Sequence, residues 1–314
     1  MNHAARRRQF RRDPDVTARP RYTLTVRWWL IATMLPAACR PAVADQVHAE
    51  ASAAHPATEH KGPPPESRPL PDSQPSPVRL DLVAITPEPH PLATVSDAQL
   101  AQWLDTDPSR IGTASLGLPN RGQLFNAVQA QSCELWEVVD PDRSWATPAT
   151  LEGLRRAVEA VHQRFPDTLP LQLGDLSRQK GGWLRPHRSH QSGLDADVSY
   201  YYTTEQKWYL TATKDNLDRA RSWTLVRALV ADPSVEYVFV DIRVQGLLRE
   251  YAERIGESNE WLDATFGGTE RRTEAPIRHT WGHRTHLHVR FHDPVARDTA
   301  ARIYPLLKER RLVR

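Results

Sequence analysis

A chain of 314 residues, 39% of them hydrophobic, is long enough to bury the core of one large domain or two small ones. Its formal charge of +3 is confined to the beginning: residues 1–44 hold nine arginines against Asp13 and Asp15, a surplus of seven that leaves −4 for the rest. A nucleic-acid partner is therefore excluded as an expectation, because no basic surplus remains beyond residue 44 to attract phosphate.

Within residues 1–44 an arginine-rich head leads to the apolar run Trp28–Ala38 and then to Ala42, Val43 and Ala44. That order is the pattern of a secretory signal peptide, and the run is too short to span a membrane. We expect a signal peptide over 1–44, no transmembrane helix in the mature protein, and a periplasmic or secreted location. Arg7 and Arg8 lie too far from the apolar run for a good twin-arginine signal, and Pro36 spoils a lipoprotein box before Cys39. Cleavage near Ala44 leaves Cys133 as the one cysteine, expected to be a small core side chain with no internal disulfide. Residues 45–93 include Pro63, Pro64, Pro65, Pro69, Pro71, Pro75 and Pro77 and read as a disordered linker, either a spacer or a functionless extension. Folding is expected to begin between Thr94 and Ile111, in a domain over 94–314.

Thr147 and Pro148 read as an N-cap and first-turn proline, and Leu151, Leu154, Val158, Val161 and Phe165 follow at helical spacing. A strand over Leu169–Leu173 leads into a Gly174–Asp175 turn and a Gly181–Gly182 loop. A second strand is expected over Leu194–Tyr202, a helix over Leu217–Ala231, a strand over Val235–Val240 and a helix over Val244–Ile255. His286–His292 alternates, with Leu287, Val289 and Phe291 on one face and His286, His288, Arg290 and His292 on the other. Helices and strands mixed without a regular strand-helix-strand repeat predict an α+β fold, a central mostly antiparallel sheet with flanking helices.

Seven of the thirteen histidines fall between residues 187 and 292, and five of those sit in two short stretches. The first runs from Leu184 to Asp197 and holds His187, His190, Asp195 and Asp197; the second, Trp281 to His288, holds His283, His286 and His288. A catalytic zinc takes three protein ligands and keeps a fourth position open, and His190, Asp197 and His288 can supply that set. A turn at Ser192 and Gly193 would fold Asp197 back beside His190. Residues two apart on a strand point the same way, so of His286 and His288 one can coordinate while the other handles protons. Asp195 shares a face with Asp197 and is either an orienting partner for a ligand histidine or a plain turn carboxylate. Arg185, Arg188 and Tyr200 to Tyr202 are either substrate contacts or, for the tyrosines, core.

The stretch from His187 through Ser189, His190, Gln191, Ser192, Gly193, Leu194 and Asp195 to Asp197 resembles the first metal motif of the penicillin-insensitive murein endopeptidases. His283 through His286 and His288 to Arg290 resembles their second. That family is related to D-alanyl-D-alanine peptidases and lysostaphin-type enzymes. The resemblance implies a single-zinc active site with ligands at His190, Asp197 and His288, a metal contact at His187, a catalytic role for His286 and a polarising or positioning role for His283. It also implies peptidoglycan as partner and the D-alanyl–diaminopimelate cross-link as the bond cut. On this frame His286 would take a proton from water, and His283 or Arg290 would stabilise the oxyanion. One rival is a D-alanyl-D-alanine carboxypeptidase or dipeptidase, which uses a glutamate base shortly before the last ligand; Arg278 to His288 contains no carboxylate. The other is a non-catalytic murein-binding module, whose structural zinc would be closed by four ligands.

Overall fold

The structure, a computed structural model, describes residues 89–270 and 273–313. The expectations for residues 1–88, the signal peptide and nearly all of the proline-rich linker, lie outside the described residues. Packing has begun by Leu92, which is buried, and His90 bonds through Nε2 to Thr299 Oγ1 at 3.1 Å. Helix α1 (Asp97–Thr106) starts where the Ser96 hydroxyl accepts the Gln99 N–H, a side-chain cap for an otherwise unpaired donor. The hairpin β1 (Ala114–Leu118) and β2 (Arg121–Phe125) follows. Leu92, Leu100, Leu104, Ile111, Ala114 and Leu116 close a small core with Ala300, Ile303 and Leu307 of the last helix, α6 (Pro294–Glu309). A short ribbon pairs β3 (Val128–Gln129) with β5 (Trp145–Ala146), and β4 (Trp136–Val138) lies between them in sequence.

The main sheet continues with β6 (Leu171–Leu173), β7 (Asp195–Ser199), β8 (Val235–Val240), β9 (Ile277–His279) and β10 (His286–Phe291), in spatial order β4-β6-β7-β10-β8-β9. The three central pairings are antiparallel and the two outer ones parallel. The expected α+β fold with a mostly antiparallel sheet is what the chain forms. Helix α2 (Pro148–Arg164) begins as its sequence dictates, with Thr147 Oγ1 accepting the Thr150 N–H and Pro148 in the first turn. It packs against α3 (Arg219–Ala231) and β10, and α3 packs in turn on β8 and α4 (Ile242–Arg254); α5 (Asn259–Thr265) follows. Leu151, Leu154, Val158, Val161, Ala196, Val198, Leu287, Val289 and Phe291 share the main core with Trp223, Leu225, Val226 and Leu229. One face of β7 and β10 is thereby sealed by apolar packing.

Several boundaries move for physical reasons. The strand expected from Leu169 starts at Leu171, and Leu169 stays 58% exposed. Helix α3 starts at Arg219 because Asp218 caps it, accepting the Arg221 N–H. Cys133 is disulfide-bonded in the uncleaved chain rather than a free thiol; Cys39, the other cysteine of the sequence, lies outside the described residues, and the expectation of no internal disulfide concerns the chain after cleavage near Ala44.

Candidate active site

The first motif is folded back by a turn that helix α2 fixes. The Thr147 N–H and the Thr150 hydroxyl both donate to the Gly193 carbonyl, at 3.0 and 2.9 Å, and the Ser115 hydroxyl donates to the Ser192 carbonyl at 2.8 Å. Gly193 has φ +73°, and a Cβ there would stand 2.7 Å from Leu124, so both conformation and space demand glycine. His190 carries φ +63° without that freedom. Its strained backbone is held by Asp195, whose Oδ2 accepts the His190 N–H at 2.8 Å.

Across the ladder His288 stands opposite Asp197, Arg290 opposite Asp195 and His286 opposite Ser199. This register, with the turn, brings together the three residues that the sequence nominates as ligands. His190 Nε2 is 3.0 Å from His288 Nδ1 and 3.3 Å from Asp197 Oδ1, and His288 Nδ1 is 2.9 Å from Asp197 Oδ1. All three residues are buried. The opposite nitrogens assign the protons. His190 Nδ1 lies 2.7 Å from the Leu176 carbonyl and His288 Nε2 lies 3.1 Å from Asp195 Oδ1; both oxygens only accept, so each of those nitrogens carries hydrogen. With both rings neutral, His190 Nε2, His288 Nδ1 and Asp197 Oδ1 turn three lone pairs toward one point. Asp197 Oδ1 is fully buried between two ring nitrogens and lacks a partner of good hydrogen-bond geometry, an oxygen that a proton on either ring or a cation could satisfy.

The electrostatics agree. Burial works against a charged His288, but Asp195 and Asp197 outweigh it and raise its pKa to about 9 in the metal-free protein. Burial likewise opposes ionisation of Asp195 and Asp197, and it is overcome at both by His190 and His288, and at Asp195 by Arg290 as well, so both carboxyls sit below their ordinary range. The pocket attracts positive charge.

His187 is placed at the edge of this group. Its Nε2 donates to Asp175 Oδ2 at 2.6 Å, its Nδ1 lies 3.6 Å from Asp197 Oδ2, and it belongs with His190 and Asp197 to a set whose ligand atoms lie within 4.8 Å of one another. Asp175 is itself held by Arg143 at 2.6 Å. Asp195 is the orienting partner rather than a plain turn carboxylate: it accepts from the His190 backbone, His288 and Arg290 Nε. Arg290 also donates to the Tyr237 hydroxyl at 2.7 Å, so its guanidinium is engaged away from the point where His190, Asp197 and His288 meet.

His286 Nε2 is 3.6 Å from Asp197 Oδ2, and its Nδ1 pairs with Thr285 Oγ1 at 2.9 Å. His283 lies beyond it, with ring centroids 4.8 Å apart. Burial first, then the neighbouring His286, push the His283 pKa down to about 4, and burial lowers His286 against the pull of Asp197. His283 is therefore neutral at ordinary pH. Its Nδ1 donates to the Trp281 carbonyl at 3.2 Å, which leaves Nε2 an acceptor. Tyr200 and Tyr201 prove to be core, with the Tyr200 hydroxyl donating to the His283 carbonyl at 2.8 Å; Tyr202 is buried too. Arg185 and Arg188 are exposed.

Residues the sequence did not single out complete the site. Asp175 was visible only as half of a turn, and Arg143 carried no signal at all. Trp208 and Tyr209 pack on His286, with centroids 5.7 and 5.6 Å from its ring. Their loop has no periodic pattern that would have revealed this.

A family model described as penicillin-insensitive murein endopeptidase matches residues 115–306, the span that holds the whole site. The chain belongs to that family. Similar proteins called penicillin-insensitive murein endopeptidase include one from Yersinia enterocolitica, 26% identical over 224 residues, 68% of this chain and 76% of the relative. One from Pectobacterium atrosepticum is 25% identical over 174 residues, 50% of this chain and 55% of its own, and one from Yersinia pestis is 24% identical over 172 residues, 49% and 56%. The chain thus spans little more than half the length of the latter two relatives. Among the described residues no helix is long and apolar enough to cross a membrane.

Proposed function

We propose that the protein is a zinc-dependent endopeptidase that hydrolyses D-alanyl–diaminopimelate cross-links of peptidoglycan, and that it is exported to where that polymer lies. The observation that carries this reading is the convergence of His190 Nε2, His288 Nδ1 and Asp197 Oδ1 on one point, separated by 2.9–3.3 Å. Donors about 2.0 Å from a tetrahedral zinc stand roughly 3.3 Å apart, and nitrogen and oxygen donors without cysteine suit a catalytic rather than a structural ion. His190, Asp197 and His288 would hold zinc, with His187 flanking it. When bound, zinc supplies a water of near-neutral pKa and polarises the scissile carbonyl.

The chain's own residues supply the rest. His286, whose Nδ1 pairs with Thr285 Oγ1, presents Nε2 to take a proton from the attacking water and return it to the leaving amine. Neutral His283, its Nε2 free to accept, positions a donor group of the substrate or its water. Arg290, considered for the oxyanion, is instead engaged with Asp195 and Tyr237 and acts by holding Asp195 in place.

Digestion of purified cross-linked murein, with and without a chelator and read by mass spectrometry, tests the proposal. Zinc-restorable conversion of dimeric to monomeric muropeptides is the expected result. Loss of terminal D-alanine alone would make the protein a carboxypeptidase, and unchanged murein would leave a binding module.

A further inference from the structure

The loop joining Tyr202 to Leu217 is tied down beside the catalytic histidines. The Thr203 N–H donates to the Asn216 carbonyl at 2.9 Å, the Ala212 N–H donates to the Arg284 carbonyl at 2.7 Å, and the buried Tyr202 hydroxyl donates to the Leu210 carbonyl. Its tip carries Trp208 and Tyr209. Trp208 lies over Gly174, where any Cβ would overlap the indole, so the glycine at the end of β6 is a seat for that ring. Trp208 and Tyr209 pack edge to face at 5.6 Å, and Tyr209 lies nearly parallel to His286, at 27°. Yet Tyr209 is 60% exposed and holds φ +65°, a conformation unfavourable for an aromatic residue. A strained backbone that presents a large ring to solvent beside a proton-handling histidine is a mark of a binding surface.

We propose that Tyr209, seated by Trp208, is a specificity wall beside His286, and that its ring receives the alanine methyl on the acyl side of the bond cut. The inference rests on the endopeptidase reading. A ring 5.6 Å from His286 is within about two residues of extended chain, at roughly 3.4 Å each, so it meets the peptide next to the bond and not the glycan. Of the two residues flanking a D-alanyl–diaminopimelate bond, alanine suits an apolar face. The charged neighbours on the loop, Lys207 and Glu205, face each other at 3.8 Å.

The test compares cross-linked synthetic peptides with alanine or glycine on the acyl side, cut by the full protein and its variants. Wild type should prefer alanine by about tenfold in kcat/KM, the usual discrimination from one methyl group. Tyr209→Ala should reduce that preference to less than about twofold without lowering the thermal midpoint, Tyr209→Phe should keep it, and Gly174→Ala should lose it by displacing Trp208. The ratio is independent of metal loading. An unchanged alanine preference in Tyr209→Ala overturns the proposal while leaving the endopeptidase reading intact. Failure of wild type to cut either peptide, with dimeric murein also uncut, defeats the endopeptidase reading and the wall with it.

Discussion

Strands β7 and β10 have two buried faces that are held in different ways. On one, Ala196, Val198, Leu287, Val289 and Phe291 pack with α2 and α3. On the other, Asp195, Asp197, His286 and His288 are buried and Arg290 nearly so, joined by charge and hydrogen bonds. Apolar burial is a sum of many small, weakly directional contacts, so the first face tolerates changes of shape at a graded cost. The second is a network in which each group depends on a partner, because water cannot replace what is lost. A single ladder thus supports the fold on one side and, on the other, gathers His190 Nε2, His288 Nδ1 and Asp197 Oδ1 at one point.

The largest expected effect breaks the polar face at its centre. Asp197→Asn removes the charge on which His190 and His288 converge, and peptidase activity should fall below about one thousandth, equivalent to losing roughly 4 kcal/mol in the transition state. Zinc content by atomic emission should fall in parallel, and retained zinc with full activity would show that the convergence is not the metal centre. Asp195→Asn should come next. It leaves the buried Arg290 and His288 without the carboxylate that compensates them, costing about 3–5 kcal/mol by denaturant unfolding and weakening metal binding about 10- to 100-fold. On the apolar face, Leu287→Ala should cost about 2–5 kcal/mol with no change in metal affinity. Loss of zinc in that variant would mean that the two faces are coupled rather than separate.

The two faces also differ in how far the sequence exposes them. The alternation from His286 to Phe291 announces both, since a period of two sorts residues by face whatever the partner strand. Helix α2 was equally plain, because its cap, proline and apolar spacing are local. The register that sets His288 beside Asp197 was not visible, as it depends on where the Gly193 turn is pinned by Thr147 and Thr150, more than forty residues earlier. Asp175 and Arg143 were invisible for the same reason: a carboxylate at a strand end becomes a partner of His187 only when the loop returns. Helix α6 escaped notice because Pro305 interrupts its pattern, and β9 because three residues are too short to show a period. Tyr200 to Tyr202 were ambiguous until their burial was known, since aromatic rings serve cores and binding sites equally well.

The smallest expected effect is a difference in pH response between the faces. In metal-free protein the His288 pKa stands raised to about 9 against an ordinary 6.5. A raised histidine contributes stability that is full below its unfolded value and lost as pH climbs through the folded one, so the apo thermal midpoint should drift down between about pH 6.5 and 9. Each kcal/mol of that linkage is worth roughly 2–4 °C in a domain of this size. Leu287→Ala should lower the whole curve without changing its slope, because the apolar face binds no proton. Zinc should flatten it: the ion takes the position of the proton on Nδ1, and its affinity rises as that proton leaves. An apo curve that is already flat would mean that Asp195 and Asp197 do not hold a positive charge on His288, and would remove the electrostatic argument for a cation between the two strands.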